Sequence, residues 1–376
     1  MRKVYISAAF RSPIGKFGGA LMCYSAAELA GLSLKKAIKK TQFSEADAVI
    51  LGHARQAGCG PNPARQALIL AELDQSIPAW TLNQACASGM SAVIDAAIRI
   101  QSSNAQQIWA GGVESMSNTP YLLKNFRWGK KLGHSQVHDG MYQDGFHCPM
   151  ADMLMGNTVE EFIAQERKIT REEQDDFALS SHDKALSAQK NQLFENEILE
   201  FEEISHDEIP REPEKLKKLR DLKPVFDPEY GTISAGNASA LGDAASWLYL
   251  NESKEKALAE FIDFSMTALD PRYMGMGPVA SIQKLLQKTN LKVSDIGLFE
   301  INEAFAAQAI ACQKELKIPS EKLNLKGGAI ALGHPIGATG ARILSTLIHS
   351  LKNGQYGVAS LCVSGGQGAS ILLKRL

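Results

Sequence analysis

The sequence predicts an α/β protein made of two βαβαβ halves with an insertion between them. Three observations carry this expectation. Short apolar runs alternate with amphipathic stretches at both ends of the chain, and the order of these elements repeats. Residues 118–241 break the alternation with charged helical patterns. The repeat is one of pattern, with no obvious identity between the halves. Such alternation calls for mainly parallel central strands covered by helices.

In the first part, residues 4–10 form an apolar run of strand length, and residues 26–39 carry helical spacing. Residues 48–52 are a second strand, 63–73 a helix with Pro63 in its first turn, and 79–82 a short strand. After Cys86, residues Met90, Val93, Ile94, Ala97 and Ile98 share one helical face. Residues 107–113 form the next strand, which includes Gly111-Gly112. The last part repeats the order: strand 261–268, helix 278–287, strand 296–301, helix 303–316 and a strand near 323–325. A glycine-rich turn at His334, helix 336–351 and strands 358–363 and 369–373 complete it. Helical patterns at 160–167 and 171–190 and a charged connector at 210–223 mark an insertion expected to cover the site. The chain thus divides into residues 1–117, with 242–259 packing back on them, an inserted domain 118–241, and a second half 260–376.

Composition bounds the function. The 376 residues carry a net charge of -1, with 45% hydrophobic and 22% charged residues, an ordinary soluble profile that points to neither nucleic acid nor an anionic membrane surface. No run of about 18 apolar residues is present, so no membrane span is expected. Residues 2–10 are too short an apolar run for a secretory signal, and Lys374-Arg-Leu376 has the wrong first residue for a peroxisomal Ser-Lys-Leu tail. The six cysteines are irregularly spaced, which favours reduced functional or buried thiols over a disulfide framework. No cysteine–histidine cluster has zinc-site spacing, the adjacent His147-Cys148 included, so no metal is expected.

Three glycine-marked stretches carry the chemistry. Asn83-Gln-Ala-Cys86-Ala-Ser-Gly89 sets a thiol at a strand-to-helix junction, where free N–H groups and a partial positive charge favour a thiolate. Gly327-Gly-Ala-Ile-Ala-Leu-Gly-His334-Pro-Ile-Gly337 presents an imidazole on a turn that suggests close backbone packing or a substrate beside it. Leu361-Cys362-Val-Ser-Gly-Gly366 ends an apolar run on a second thiol. All three fall near the carboxyl ends of strands, where ligands of open α/β sheets bind, so they could converge as nucleophile, base and second proton carrier. Local sequence leaves alternatives open: Cys86 and Cys362 also read as buried core thiols, and His334 as a hydrogen-bonded turn residue. Asn302, in Glu300-Ile-Asn-Glu-Ala-Phe305, either caps the following helix or supplies an amide to an oxyanion site.

These blocks, in this order, resemble the thiolases, the acetyl-CoA acetyltransferases and 3-ketoacyl-CoA thiolases. The resemblance runs nearly end to end, through Arg11–Gly19, Asn62-Pro-Ala-Arg-Gln66, Asn83–Gly89, Gly111–Ser117, Ala235-Gly-Asn-Ala-Ser239, Asn302-Glu-Ala-Phe-Ala306, Gly327–Arg342 and Cys362 with its glycines. It implies two similar α/β halves with mixed central sheets in a layered arrangement, plus an inserted loop domain. By the same resemblance Cys86 accepts the acyl group, His334 activates it and helps bind the thioester oxygen, and Cys362 is the second acid/base. Asn302 holds a water of one oxyanion hole, and the backbone N–H groups of Cys86 and Ser364 form another. Ser239, Phe226, Phe305 and Met155 belong to the coenzyme A site, with Arg211 near its adenine or phosphate end. The implied partners are acetyl-CoA, acetoacetyl-CoA or other 3-ketoacyl-CoA, and free coenzyme A. No further cofactor, metal, nucleic acid or membrane is implied, and the expectation is a cytoplasmic homodimer or homotetramer.

Two departures from the family pattern stand out. Ser364 occupies a position that is commonly glycine, and Leu154 one that is commonly histidine in a His-Met-Gly run. Alternatives to the acetyl-specific reading are a longer-chain 3-ketoacyl-CoA thiolase and a non-catalytic acyl-CoA-binding relative. A decarboxylating condensing enzyme would lack the second cysteine, so Cys362 argues against it.

Overall fold

The computed structural model describes residues 2–376. One sheet path runs through both halves in the order Ile296–Ile301, Tyr356–Val363, Gln367–Arg375, Ala259–Ala268, Val4–Arg11, Gly242–Asn251, Gln107–Ser115, Ala48–His53 and Ala79–Leu82. The halves meet where Val4–Arg11 pairs antiparallel with Ala259–Ala268. On either side of that seam the order is the same, so the repeated pattern corresponds to a repeated topology.

The expectation of mainly parallel strands needs correction. Only the outer pairings are parallel: Ala48–His53 with both Ala79–Leu82 and Gln107–Ser115, and Ile296–Ile301 with Tyr356–Val363. The inner pairings are antiparallel. The physical reason lies in the connections. Tyr356–Val363 and Gln367–Arg375 are joined by a tight turn, and Gly242–Asn251 returns from the insertion, so neither arrives through a helical crossover.

The strand expected near 323–325 is reduced to one parallel bridge between Phe299 and Leu323. Asn324 has φ 46° and takes over the edge with its side chain. Its Nδ2 donates to the Ile301 carbonyl at 2.9 Å and its Oδ1 accepts from the Ile301 N–H at 2.9 Å. An asparagine amide thus replaces the backbone that Ala79–Leu82 supplies in the first half. In the insertion, Arg171–Lys190 is a helix opened by a capping box from Thr170 and Glu173. The segment read as helix over 160–167 is a π-helical turn, Glu160–Gln165, continuing the short helix Met155–Val159.

Two helices, Ser88–Gln101 and Ile336–Ser350, are largely buried, and the second packs against strands of both halves. Glycine lets them meet backbone to backbone. A Cβ added at Gly340 would lie 2.4 Å from the Met90 nitrogen, and one at Gly89 would lie 2.7 Å from the Gly337 carbonyl oxygen. A Cβ at Gly112 would lie 2.1 Å from that same oxygen.

The insertion is tied down by charge as well as by apolar contact. Arg11 is fully buried and donates from Nε to Glu197 at 2.7 Å and from Nη1 and Nη2 to Asp207 at 2.6 and 2.8 Å. Asp207 also accepts from the Ile14 N–H at 2.8 Å. Val159, Ile163 and Ala178 of the insertion join the apolar cluster of the second half, and Leu199, Phe201 and Ile204 join one in the first.

Gly340→Ala should test the helix contact. Overpacking costs about 1–3 kcal/mol, and here the obstacle is backbone, which cannot rotate away. We expect thermal unfolding of the variant several degrees below the parent. An unchanged midpoint would mean that the helices do not approach this closely.

Candidate active site

The turn before Ser88–Gln101 lifts Cys86 out of the sheet. Ala85 has φ 47°, uncommon for a residue with a Cβ, and the strain is held by Asn83, whose Oδ1 accepts from the Ala85 N–H at 2.9 Å. Asn83 Nδ2 is fixed in turn by the Ala54 carbonyl at 3.0 Å. The turn packs flat because Gly52 lies beneath it, where a Cβ would be 2.1 Å from the Ser88 carbonyl carbon. The helix begins at Ser88 with Ala87 in the cap position, so Cys86 stands just ahead of its N-terminus.

His334 follows Gly333, whose φ of 100° the glycine permits. Its N–H donates to the Ala240 carbonyl at 2.8 Å. The ring's Nδ1 lies 2.7 Å from Thr339 Oγ1, and that hydroxyl donates its only proton to the Pro335 carbonyl at 2.9 Å. Nδ1 must therefore carry the ring proton, and Nε2 keeps its lone pair. Nε2 is buried and has no partner in the protein.

Cys362 closes the strand Tyr356–Val363 and is buried. Cys86, His334 and Cys362 line one cavity of 340 Å³. Met155, Phe226, Ser239 and Phe305 line it too. Phe226 and Phe305 meet edge to face at 6.0 Å, and Phe226 fits only because Gly156 has no Cβ, which would lie 2.0 Å from the ring. Leu154, at the departure from the family pattern, is also on the wall. Arg211 is exposed and outside this lining; its N–H donates to His182 Nδ1 at 3.2 Å.

Asn302 does not cap the next helix, which starts at Ala306 with Phe305 in the cap position. Its N–H is taken by the Ser360 carbonyl at 2.9 Å, while both polar atoms of its buried side chain lack a protein partner. A buried amide held in this way is free to bind a water or an oxyanion.

The backbone N–H groups of Ser364 and of Cys86 itself help to hold the Cys86 thiol down. Ser364 needs no left-handed backbone to do so. The positive φ values of that loop fall on Gly365 at 86° and Gly366 at 77°, so the serine's Cβ is accommodated.

Burial sets the protonation states. It raises the Cys86 thiol above its ordinary value, against the nearby Arg55 charge and the two N–H donors. Burial raises Cys362 well above its ordinary value, with Cys86 and Cys312 adding to the effect. Burial also pushes His334 down to about 3, helped by the positive charges of Arg342 and Arg55. The helix N-terminus therefore does not produce a resting thiolate. At pH 7 the three groups are two thiols and a neutral imidazole.

Sequence reasoning missed Thr339, Glu114 and Arg55. Thr339 fixes the imidazole tautomer. Glu114 holds the His334 turn by accepting from the Gly337 N–H at 2.9 Å. Arg55 lies in a small pocket that also includes Cys86. The available signals were local: a hydroxyl five residues after His334, and two charges beside otherwise apolar strands.

Comparison with known proteins finds similar sequences and structures over the whole chain. The thiolase N-terminal domain model matches residues 4–254 and the thiolase C-terminal domain model residues 255–375. A probable acetyl-CoA acyltransferase of Staphylococcus aureus strain COL is 42% identical over 393 aligned positions, covering 100% of both chains. One from Staphylococcus epidermidis is 41% identical, covering 100% of this chain and 99% of its own. The crystal structure of the Bacillus anthracis acetyl-CoA acetyltransferase superposes with a TM-score of 0.95 at 42% identity, over 100% of this chain and 99% of that one. A thiolase from Ascaris suum in complex with coenzyme A superposes at 0.95 with 35% identity, over 100% of both.

Alkylation tests the neutral resting state. The labelling rate of Cys86 by iodoacetamide, read by peptide mass spectrometry, should rise about tenfold per pH unit from pH 6.5 to 9, because only the thiolate reacts. A rate that is already level at pH 6.5 would show a resting thiolate–imidazolium pair instead.

Proposed function

The chain belongs to the thiolase family, and from that premise we propose that it is an acetyl-CoA C-acetyltransferase working through an S-acyl Cys86. The observation that carries this reading is the cavity shared by Cys86, Cys362 and His334, the last with an unpartnered Nε2. In the cleavage direction the Cys86 proton moves to Nε2, and the sulfur attacks C3 of a 3-ketoacyl-CoA. The bond between C2 and C3 breaks, its electron pair goes to C2, and Cys362 protonates that carbon, releasing acetyl-CoA. The thiol of free coenzyme A then gives its proton to Cys362 and takes the acyl group, while Cys86 recovers its proton from His334. Condensation of two acetyl-CoA to acetoacetyl-CoA is the reverse. Oxyanions form twice. Asn302 with a water and His334 serve one, and the N–H groups of Cys86 and Ser364 serve the other. Every step uses the chain's own groups and coenzyme A thioesters, with no metal or redox cofactor.

The coenzyme A arm would enter past Ser239, Phe226, Phe305 and Met155, with Arg211 toward its phosphate end. Domain 118–241 would cover the arm. No helix among the described residues is long and apolar enough to cross a membrane. The hairpin Tyr121–Leu123 with Val137–Asp139 bears Trp128, 91% exposed, and Leu132, 89% exposed, between its strands. That apolar tip supports assembly into a homodimer or homotetramer.

Cys86→Ser should abolish the acyl adduct and bring thiolysis to background, because serine is far harder to ionise. Retention of near-parental turnover would remove Cys86 as nucleophile. His334→Ala should slow both half-reactions by roughly 10²–10⁴-fold; a change confined to coenzyme A affinity would make it a binding residue.

Cys362→Ala should divide the reaction. Acylation of Cys86 from a good donor should persist, whereas condensation and exchange of the acetyl methyl protons with deuterated solvent should collapse. Unchanged exchange in the folded variant would eliminate the acid/base role.

A further inference from the structure

A second, smaller cavity of 180 Å³ also reaches Cys86 and is lined by Arg55, Gln143, His147, Ile336 and Ser364, without Ser239, Phe226 or Phe305. It shares Cys86, Met155 and Ile336 with the larger cavity and extends from them toward Arg55, Gln143 and His147. The acyl part of a 3-ketoacyl substrate lies beyond C3, so this is the space where that part would sit.

Its wall holds an unusual group. Arg55 is only 5% exposed, and its Nε and Nη2 are fully buried without a hydrogen-bond partner. The buried Glu114 carboxylate, whose pKa the Arg55 charge helps to lower, makes no hydrogen bond to these two nitrogens. Glu114 Oε1 accepts from Arg55's own backbone N–H at 3.1 Å and meets His53 Nε2 at 3.1 Å, and Oε2 accepts from Gly337. Gly145 admits the guanidinium: a Cβ there would lie 1.9 Å from Nη2. The pocket's acidic residue, Asp144, is exposed and makes no ion pair with Arg55. A buried guanidinium with free donors is costly unless an anion meets it, and its planar fork suits a carboxylate.

We propose that Arg55 selects short acyl groups ending in a carboxylate, so that the preferred substrates are ω-carboxy-3-oxoacyl thioesters of coenzyme A. This rests on the thiolase reading of Cys86. Cleavage of such a substrate leaves the ω-carboxyacyl group on Cys86, its carboxylate paired with Arg55, and releases acetyl-CoA after Cys362 protonates C2. Transfer to the thiol of free coenzyme A then yields the ω-carboxyacyl-CoA and restores Cys86.

The test compares two substrates of equal chain length, 3-oxohexanedioyl-CoA and 3-oxohexanoyl-CoA, with acetoacetyl-CoA as reference. The parent enzyme should cleave the carboxylate substrate with at least tenfold higher kcat/KM than its apolar counterpart. In Arg55→Met the ratio of the two should fall by about 30-fold or more, the loss typical of removing one partner of a buried charge pair. Arg55→Lys should recover part of it. A parent preference for the apolar substrate overturns the proposal even if no variant folds, and so does an equal fall for both substrates in folded Arg55→Met. Absence of cleavage of all three would instead overturn the thiolase reading.

Discussion

The backbone contact between Ser88–Gln101 and Ile336–Ser350 is the constraint on which the site depends. Each helix follows directly on a residue that lines the cavity, Cys86 before one and His334 before the other. Gly89, Gly112, Gly337 and Gly340 remove the side chains that would hold these helices at an ordinary packing distance. The two halves of the chain can therefore bring a thiol and an imidazole to one cavity although 248 residues separate them in sequence. Because the contact is made by backbone, it leaves little freedom for the reactive groups to drift.

Burial does the rest of the electrostatic work. It opposes charge on both thiols and on the imidazole, so the resting state is neutral. Thr339 then matters more than its size suggests. By accepting from Nδ1 it leaves Nε2 as the ring's one acceptor, buried and without a partner in the protein. The left-handed Ala85 and the unpartnered amide of Asn302 fit the same pattern, in which local cost is accepted where chemistry needs a group presented without competition.

Much of this could be read from the sequence, and the misses have specific causes. Apolar periodicity and apolar run length located the strands and helices of both halves. It could not give strand direction, which depends on connections: the turn at 364–366 and the return from the insertion make the inner pairs antiparallel. The strand near 323–325 failed because Asn324 uses its side chain where the pattern implied backbone. Glycine-marked turns exposed Cys86, His334 and Cys362. Thr339 and Glu114 escaped because they act through neighbours, and Arg55 because an isolated arginine beside an apolar strand reads as a solvated charge until its burial is known.

The position of Gly242–Asn251 has a consequence for how the chain reaches this state. It sits between Val4–Arg11 and Gln107–Ser115, so the first half's sheet cannot close until the whole insertion has been made. Arg11 waits as long, since its carboxylates lie 186 and 196 residues further on. Loop-closure entropy must be met before these contacts return anything, which places the molecule among slow, high-contact-order folders. During synthesis the first strand emerges with both edges open, since its neighbours Gly242–Asn251 and Ala259–Ala268 come much later, and with a charge unmatched. A charge at the end of an unpaired strand is the kind of feature that discourages edge-to-edge pairing with other chains.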